Sequence, residues 1–527
     1  MTSTTDPTPL RIESGRRHAV WRRGRALDAV TVGLIGFVLG VIGSWRPSLW
    51  YDEVATVHSA TRTLPQLHHF LENQDAVHGL YYVVMHFWFE LFGASPLSAR
   101  IPSAIGVGVA AAGVVVLGTR LGTRRFGLLS GLVFVVLPRV TWAAVEARSY
   151  AWTMAAAVWL TVLFCAAIRA TTGRSGLLCW LGYALGVTFS TVLFLYSATL
   201  LIAHALTLLV VRAPLRTWRR WAAACLAGLV VASPLVRLMV HEHGQVAWIP
   251  ALDRHAVRSV LGYQWFLEAP VCAALAWILM LAALAFTRRR TLPGVRVVMI
   301  PWALAPTATL VAASLLWRPI YLDRYLTFTT PAVALLLGWA LLQFSAHAWV
   351  SRLGFAVLAA AALPAYVGQR GEYPKPSGMD FTSVNDYLAT HTSPGDCLLF
   401  DPKPAWNPTS ARLAKDADPG PLAGLRDLEL GRTAASQGSL WDEDLPLAQV
   451  QQQLPSCPTV WYVADIEREV PEHIRHTSNE QWGLPSYHFV DTDDYRRLAA
   501  HGFRIVDRRE FHVSQVVELK PTEAAPR

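Results

Sequence analysis

Two carboxylates stand side by side in Trp50-Tyr51-Asp52-Glu53. A carboxylate held against a hydroxyl can take its proton as the oxygen attacks an electrophile, so this pair is a first candidate for general-base chemistry. The plain structural reading is a helix N-terminus, where acids satisfy free backbone amides. Four other polar groups stand out. Asp75-Ala76-Val77-His78 leads into Gly79-Leu80-Tyr81-Tyr82, and Glu146-Ala147-Arg148-Ser149-Tyr150 sets an acid two residues from a base. His241-Glu242-His243 precedes Trp248 and Asp253, and Arg318, Tyr321, Asp323, Arg324 and Tyr325 fall within one short stretch. Taken singly, Asp75 is an ordinary helix cap and Glu146 with Arg148 a self-neutralising pair. The alternate histidines around Glu242 have the makings of a metal site, but no ligand at a fixed spacing completes it, so loop polarity is the preferred reading and no metal is expected.

What gives these groups joint meaning is the set of elements that must carry them. The chain has 527 residues, 53% hydrophobic and only 16% charged, with a mean hydropathy of +0.32. That composition places it among membrane proteins. Apolar stretches long enough to cross a hydrocarbon core recur from residue 28 to about residue 368 and then stop. The formal charge of +9 does not point to nucleic acid, because the arginines lie in short clusters between apolar stretches and not on one continuous basic face.

Those clusters set a threading by the positive-inside rule. Arg11, Arg16, Arg17, Arg22, Arg23 and Arg25 precede the first span, which has no small-residue cleavage site at its end, so the N-terminus (1–27) is expected in the cytoplasm. Spans at about 28–45, 100–119, 126–143, 151–168, 177–195, 197–211, 221–239, 270–287, 297–316, 326–344 and 353–368 then return every arginine cluster to the inner side. Eleven spans result, provided residues 79–92 form an interfacial helix within the first outer loop (46–99); a crossing there would turn every later cluster outward. All five polar groups fall on the outer face, where a membrane protein gathers its functional side chains.

After a linker (369–379), residues 380–527 read as a small extracytoplasmic α/β domain: a helix at 380–391 and strands at 397–400, 459–464 and 513–519. All four lysines, Lys375, Lys403, Lys415 and Lys520, lie beyond the last span, as suits an aqueous environment. No glycine-rich nucleotide loop follows the strands, so this tail is assigned no catalysis. Cys165, Cys179, Cys225 and Cys272 read as small apolar residues of the spans, while Cys397 and Cys457 can form one disulfide if the tail is extracytoplasmic.

The sequence of an acid pair after span 1, an Asp/His element running into Leu-Tyr-Tyr, a Glu-Ala-Arg-x-Tyr element and a late Arg-Tyr-Leu element resembles the GT-C superfamily of membrane glycosyltransferases. It is most similar to bacterial relatives of protein O-mannosyltransferases and lipid A aminoarabinose transferases, over roughly residues 28–345. Many relatives carry His-Pro-Pro-Leu-Tyr-Tyr where this chain has His78-Gly79-Leu80-Tyr81-Tyr82. The resemblance implies a polytopic α-helical membrane enzyme that inverts a sugar taken from a polyprenyl-monophosphate carrier, with Asp52 as the general base or acceptor-positioning acid. It implies that Glu53, Asp75, His78, Tyr82, Glu146 and Tyr150 hold the sugars, and that Arg148, Arg324 and Tyr325 hold the donor phosphate. Arginine offers a permanently charged, bidentate fork suited to phosphate oxygens. With the leaving group so stabilised, the chemistry requires neither a divalent ion nor another cofactor. Mannose is the expected sugar and arabinose the alternative; the acceptor is a glycan, glycolipid or protein of the envelope. A secondary transporter would place its charges near the bilayer midplane, often in repeated halves, and a non-catalytic scaffold would be indifferent to loss of Asp52.

Overall fold

The computed structural model describes residues 11–170, 173–242, 244, 247–286, 293–344, 347–407, 409–410, 412–475 and 481–522. The chain opens with a long helix, α1 (Arg11–Val41), and then a run of short helices: α2 (Tyr51–Ala60), α3 (Leu64–Asn73) and α4 (Gly79–Phe92). Next come α5 (Pro96–Leu121), α6 (Arg124–Val136), α7 (Pro138–Ala143), α8 (Tyr150–Arg169), α9 (Arg174–Leu193), α10 (Leu200–Val210) and α11 (Leu215–His241). Two three-residue pieces, α12 (Ala256–Arg258) and α13 (Gln264–Phe266), lead to α14 (Pro270–Phe286), α15 (Pro293–Leu316), α16 (Thr330–Gln343) and α17 (Ala348–Gly368).

Among the described residues, seven helices are long and apolar enough to cross a membrane, or eight if the bent pair Ala256–Phe266 and Pro270–Phe286 is one span. The other three expected spans correspond to helical stretches that are shorter or broken: Ala26–Val41, Leu195–Val210 and the α6–α7 pair. The break between α6 and α7 has a local cause. Pro138 has no amide hydrogen and disfavours helical geometry in the residue before it, and Leu137 is extended at φ −63°, ψ 133°. Residues 79–92 form the separate helix α4, on which Val84, Phe87, Leu91 and Phe92 are exposed.

Small residues let the first helices approach closely. A Cβ added to Gly33 on α1 would lie 2.9 Å from the Gly108 carbonyl oxygen on α5, so both positions need glycine for this contact. The tight α1–α5 packing fixes the point at which the chain leaves α1 and enters α2, and hence where Asp52 stands.

The tail contains a five-stranded sheet in the order β2-β1-β3-β7-β6. Its strands are β1 (Cys397–Phe400), β2 (Arg426–Asp427), β3 (Val460–Asp465), β6 (Phe503–Glu510) and β7 (Ser514–Pro521); β4 (Glu472–Arg475) and β5 (Gln481–Leu484) form a separate hairpin. β1 runs parallel to β2 and β3, while β7 is antiparallel to β3 and β6. Side-chain alternation gives the sheet two buried faces. Cys397, Leu399, Val460 and Tyr462 pack with Leu498 and Phe503. Leu398, Phe400, Trp461 and Val463 join an apolar cluster that includes Leu49, Trp50 and Val54 from the start of α2.

The tail is therefore bolted to the first loop. The short helix α19 (Leu413–Ala417) packs on α2, with His58 Nδ1 3.4 Å from Asp416 Oδ1; the elements between α17 and α19 include α18 (Phe381–His391). Arg62 donates to the carbonyls of Ser439 and Leu440 at 2.8 and 3.1 Å. Gly438, at φ +63°, passes so close to α3 that a Cβ would sit 2.7 Å from Asn73 Nδ2. Cys397 and Cys457, whose pairing the sequence left open, form a disulfide with Cα atoms 5.6 Å apart.

Candidate active site

Asp52 and Glu53 lie in the first turn of α2, and the chain reversal between α7 and α8 brings Glu146, Ala147 and Arg148 against that turn. Two hydrogen bonds fix the register of the two segments: the Thr56 hydroxyl donates to the Ala147 carbonyl at 2.8 Å, and the Ser103 hydroxyl of α5 donates to the Glu146 carbonyl at 2.6 Å.

The two carboxylates then part company. Asp52 is sunk among polar side chains with 15% of its own side chain exposed, and in this recess Oδ1 is 3.2 Å from Arg148 Nη2 and Oδ2 is 3.7 Å from Arg324 Nη2. Burial alone would raise the Asp52 carboxyl, but the two guanidiniums together outweigh burial and hold it below the ordinary carboxylate range. Arg148 also donates to the Tyr82 hydroxyl at 2.8 Å, and that hydroxyl donates in turn to Asp75 Oδ2. Asp75 is in the left-handed region at φ 64°, and the next amide, Ala76 N–H, is taken up by Glu242 Oε2 at 2.9 Å. His78 lies beside the Tyr82 ring, with centroids 5.9 Å apart. Burial, reinforced by Arg148, pushes its imidazole down to about 4, so it is neutral at physiological pH.

Arg324 enters the recess from a 3-10 turn, Asp323–Thr329, that precedes α16. Its guanidinium carbon lies 5.4 Å from the Trp50 ring and 5.6 Å from the Trp248 ring. Asp323 accepts the Arg324 amide at 2.7 Å and holds Arg139 of α7 at 2.9 Å, which ties this turn to the α7–α8 segment. Tyr150 and Tyr325 are both within electrostatic reach of Asp52 and Arg324; Tyr325 stacks on Tyr196 at 5.5 Å. The Nε atoms of Arg148 and Arg324 are buried and have no hydrogen-bond partner among the described residues.

Glu53 and Glu146, expected to touch substrate, are instead sealed: both are 0% exposed. Glu53 takes two bonds from Arg100, at 2.8 and 2.6 Å, and the Ala147 amide at 3.0 Å. Glu146 Oε2 accepts from the Trp50 indole at 3.0 Å, and its Oε1 is 2.6 Å from Lys375 Nζ. Lys375 Nζ also donates to the Val145 carbonyl at 2.5 Å and is 3.6 Å from Glu53. Burial raises both carboxyls. For Glu53 the charges of Arg100 and Lys375 win and leave it lowered; Glu146, with Lys375 as its counter-charge and Glu53 repelling it, stays raised. In this arrangement the two glutamates brace the wall behind Asp52.

Lys375 corrects a second expectation. It is only 5% exposed, so its position beyond the last span does not make it an aqueous residue, and the tail linker is part of the site wall. The tail reaches the recess again at Trp441, whose indole donates to the Tyr51 hydroxyl at 3.0 Å, next to Asp52. Among the described residues no group of three or more His, Cys, Asp or Glu side chains is placed to hold a metal ion; His243 of the His-Glu-His triplet lies outside the described residues.

No protein-family model matches the chain, and no curated protein matches it. Solved structures do. ArnT from Cupriavidus metallidurans bound to undecaprenyl phosphate superposes with a TM-score of 0.58 at 14% identity, over 94% of this chain and 99% of that one. Its apo state gives a TM-score of 0.56 at 13% identity, over 93% and 97%. The chain has the GT-C fold.

Within that fold, three cations that build the recess were not candidates from sequence. Arg100 heads α5 and reads as an ordinary boundary arginine; Arg139 sits inside an apolar stretch; Lys375 sits in a proline-containing linker. For Arg139 a signal did exist, since an arginine inside a span is costly unless it is paired. Nothing local marks Lys375, because its partners are more than 200 residues away.

Proposed function

We propose that the chain is a glycosyltransferase that takes a sugar from a polyprenyl-monophosphate carrier and passes it to an acceptor hydroxyl in the recess around Asp52. The observation that carries this reading is an aspartate set between Arg148, which is buried, and Arg324, which is 12% exposed, their buried Nε atoms without a hydrogen-bond partner among the described residues. The arrangement supplies both ends of the reaction. The acceptor oxygen attacks the anomeric carbon and gives its proton to Asp52; the bond from that carbon to the phosphate oxygen breaks, and the electron pair leaves with the lipid phosphate. Arg148 and Arg324 receive the phosphate, their fixed charges balancing the negative charge that leaves with it. Attack from the face opposite the phosphate inverts the anomeric centre. Undecaprenyl phosphate bound to ArnT, a protein of the same fold, supports a carrier of this kind.

The recess is assigned to the non-cytoplasmic face. The arginine clusters at Arg120, Arg124 and Arg125, at Arg169 and Arg174, and at Arg212, Arg216, Arg219 and Arg220 all belong to helix ends away from Asp52, and the Cys397–Cys457 bridge suits an oxidising compartment. Mannose is the proposed sugar and an envelope glycan, glycolipid or protein the acceptor. The fold likeness to ArnT, an aminoarabinose transferase, favours a pentose as the second reading.

Membranes carrying the wild-type chain or Asp52→Asn, incubated with radiolabelled polyprenyl-phosphate mannose and polyprenyl-phosphate arabinose in turn, test both points. Transfer from one donor, lost by about 10²–10⁴-fold in Asp52→Asn, is the expected result. Arg324→Lys should raise the donor KM by about tenfold or more, because the ammonium cannot reproduce the fork. Equal transfer by wild type and Asp52→Asn would remove the assignment.

A further inference from the structure

Away from Asp52, a second group of polar and aromatic side chains gathers at the carboxyl ends of the parallel strands β1 and β3. Crevices outside those strand ends are where open α/β sheets bind ligands. Asp401 follows β1 directly and Asp465 ends β3. Lys403 lies between them, 2.6 Å from Asp465 Oδ2 and 3.2 Å from Asp401 Oδ2. Tyr487 donates to Asp401 at 3.0 Å, and Arg468 pairs with Asp465 at 2.9 Å. Gln515, wholly buried at the same edge, has an Oε1 without a hydrogen-bond partner among the described residues.

The same loop carries Trp406, 57% exposed. Its ring lies 5.6 Å from that of Trp482 on β5, the planes inclined at 40°. An exposed tryptophan is a costly feature on a water-facing domain, and here it forms an angled pair on the loop that also carries Asp401 and Lys403. That combination suits one ligand chemistry. A sugar ring presents an apolar face of C–H groups to an aromatic plane and a rim of hydroxyls to carboxylates, lysine and amide. A lipid or an apolar helix would leave the Asp401–Lys403–Asp465 row unused.

Position adds the rest. Ala405, next to Trp406, packs against the apolar cluster that contains Trp50, and Arg475 of the β4–β5 hairpin is ion-paired with Glu268 in the loop before α14. The aromatic pair is thus held on the side of the tail that packs against the first loop and the segment before α14. We propose that Trp406 and Trp482 form a carbohydrate-binding platform that holds a glycan chain while its end enters the recess. This rests on the reading of the chain as a glycosyltransferase with a glycan acceptor.

The test uses the full chain in lipid nanodiscs and an immobilised array of short linear hexose and pentose oligosaccharides, with wild type, Trp406→Ala, Trp482→Ala, Trp406→Phe, Trp349→Ala and Asp52→Asn compared. Trp349, exposed at the start of α17, is the control for a lost surface tryptophan. Wild type should bind one glycan class; both platform alanine variants should bind it about tenfold or more weakly, the usual cost of truncating an aromatic anchor, with Trp406→Phe between. Trp349→Ala should bind as wild type. No binding by wild type, or equal binding by the platform variants, overturns the proposal; so does Trp406-dependent binding to anionic lipid vesicles in place of glycans. Transfer measured in parallel separates the two readings. An inactive Asp52→Asn with unaffected platform variants removes the platform alone, whereas a fully active Asp52→Asn with weakened platform variants removes the catalytic assignment alone.

Discussion

Lys375 and Glu146 are 229 residues apart in sequence, yet the lysine ammonium lies 2.6 Å from the glutamate carboxylate in a wall closed to solvent. The contact joins the linker of the tail to the segment that presents Arg148. The wall contains two acids, Glu53 and Glu146, and two bases, Arg100 and Lys375, so its charges cancel only while all four are present. The position of Asp52 and Arg148 depends on this balance, because each is the immediate neighbour of a wall residue in sequence or one removed.

Replacing Lys375 by Met should therefore cost about 3–5 kcal/mol, the usual penalty for leaving a buried charge without its partner. Thermal unfolding of the chain in nanodiscs measures it. The double variant Lys375→Met/Glu146→Gln, in which no uncompensated carboxylate remains at Glu146, should recover part of the loss. Unfolding of Lys375→Met at the wild-type temperature would show that the wall does not rely on the ammonium.

The pH profile of transfer follows from the two titratable groups beside the arginines. Asp52 is held below its ordinary 3.8, and His78 is pushed down to about 4. Both have finished titrating well below neutrality, Asp52 as the anion and His78 as the neutral ring. Turnover should then show no acid limb from either group between about pH 5 and about pH 8, where ordinary histidines change charge. An acid limb near pH 6 to 7 that disappears in His78→Gln would contradict the placement of His78 among positive charges.

Much of this arrangement was legible from the residues. Alternation of spans forces Asp52, Asp75, Arg148 and Arg324 to one end of the bundle, whatever the packing, and the strand pattern at 397–400, 459–464 and 513–519 lies within two residues of the ends of β1, β3 and β7. The division of labour between Asp52 and Glu53 was not legible, because adjacent positions on a helix differ by about a quarter turn or more and only packing decides which one meets solvent. β6, with a polar, mostly exposed pattern, carries no hydrophobic alternation to announce it. Lys375 shows the limit most clearly, since a lysine in a proline-containing linker is ordinary surface until the fold brings two glutamates around it.

The Cys397–Cys457 bridge closes a segment with a sequence separation of 60, for which chain entropy alone gives about 4 kcal/mol of stabilisation. Thiol labelling of the unfolded, unreduced chain should mark Cys165, Cys179, Cys225 and Cys272, the free cysteines, and leave Cys397 and Cys457 unmodified until reductant is added. Labelling of all six without reductant would remove both the bridge and its support for a non-cytoplasmic tail.

Glu429 offers a readout of the tail sheet. It follows β2 by two residues, is 4% exposed, and accepts the Phe400 amide at 2.8 Å. Burial raises its carboxyl from the ordinary 4.5 to about 8 despite that hydrogen bond. The folded tail therefore keeps the proton across a range in which the unfolded chain has lost it. Linkage then makes the folded state lose stability as pH rises from about 4.5 to about 8, and the contribution levels off above that. The unfolding midpoint of the tail should fall over this window in the wild type. Glu429→Gln, which can still accept from Phe400 and never ionises, should flatten that component and be the more stable of the two at pH 8. Parallel midpoint curves for the two proteins would show that Glu429 titrates as a solvated acid and that its burial behind β1 is wrong.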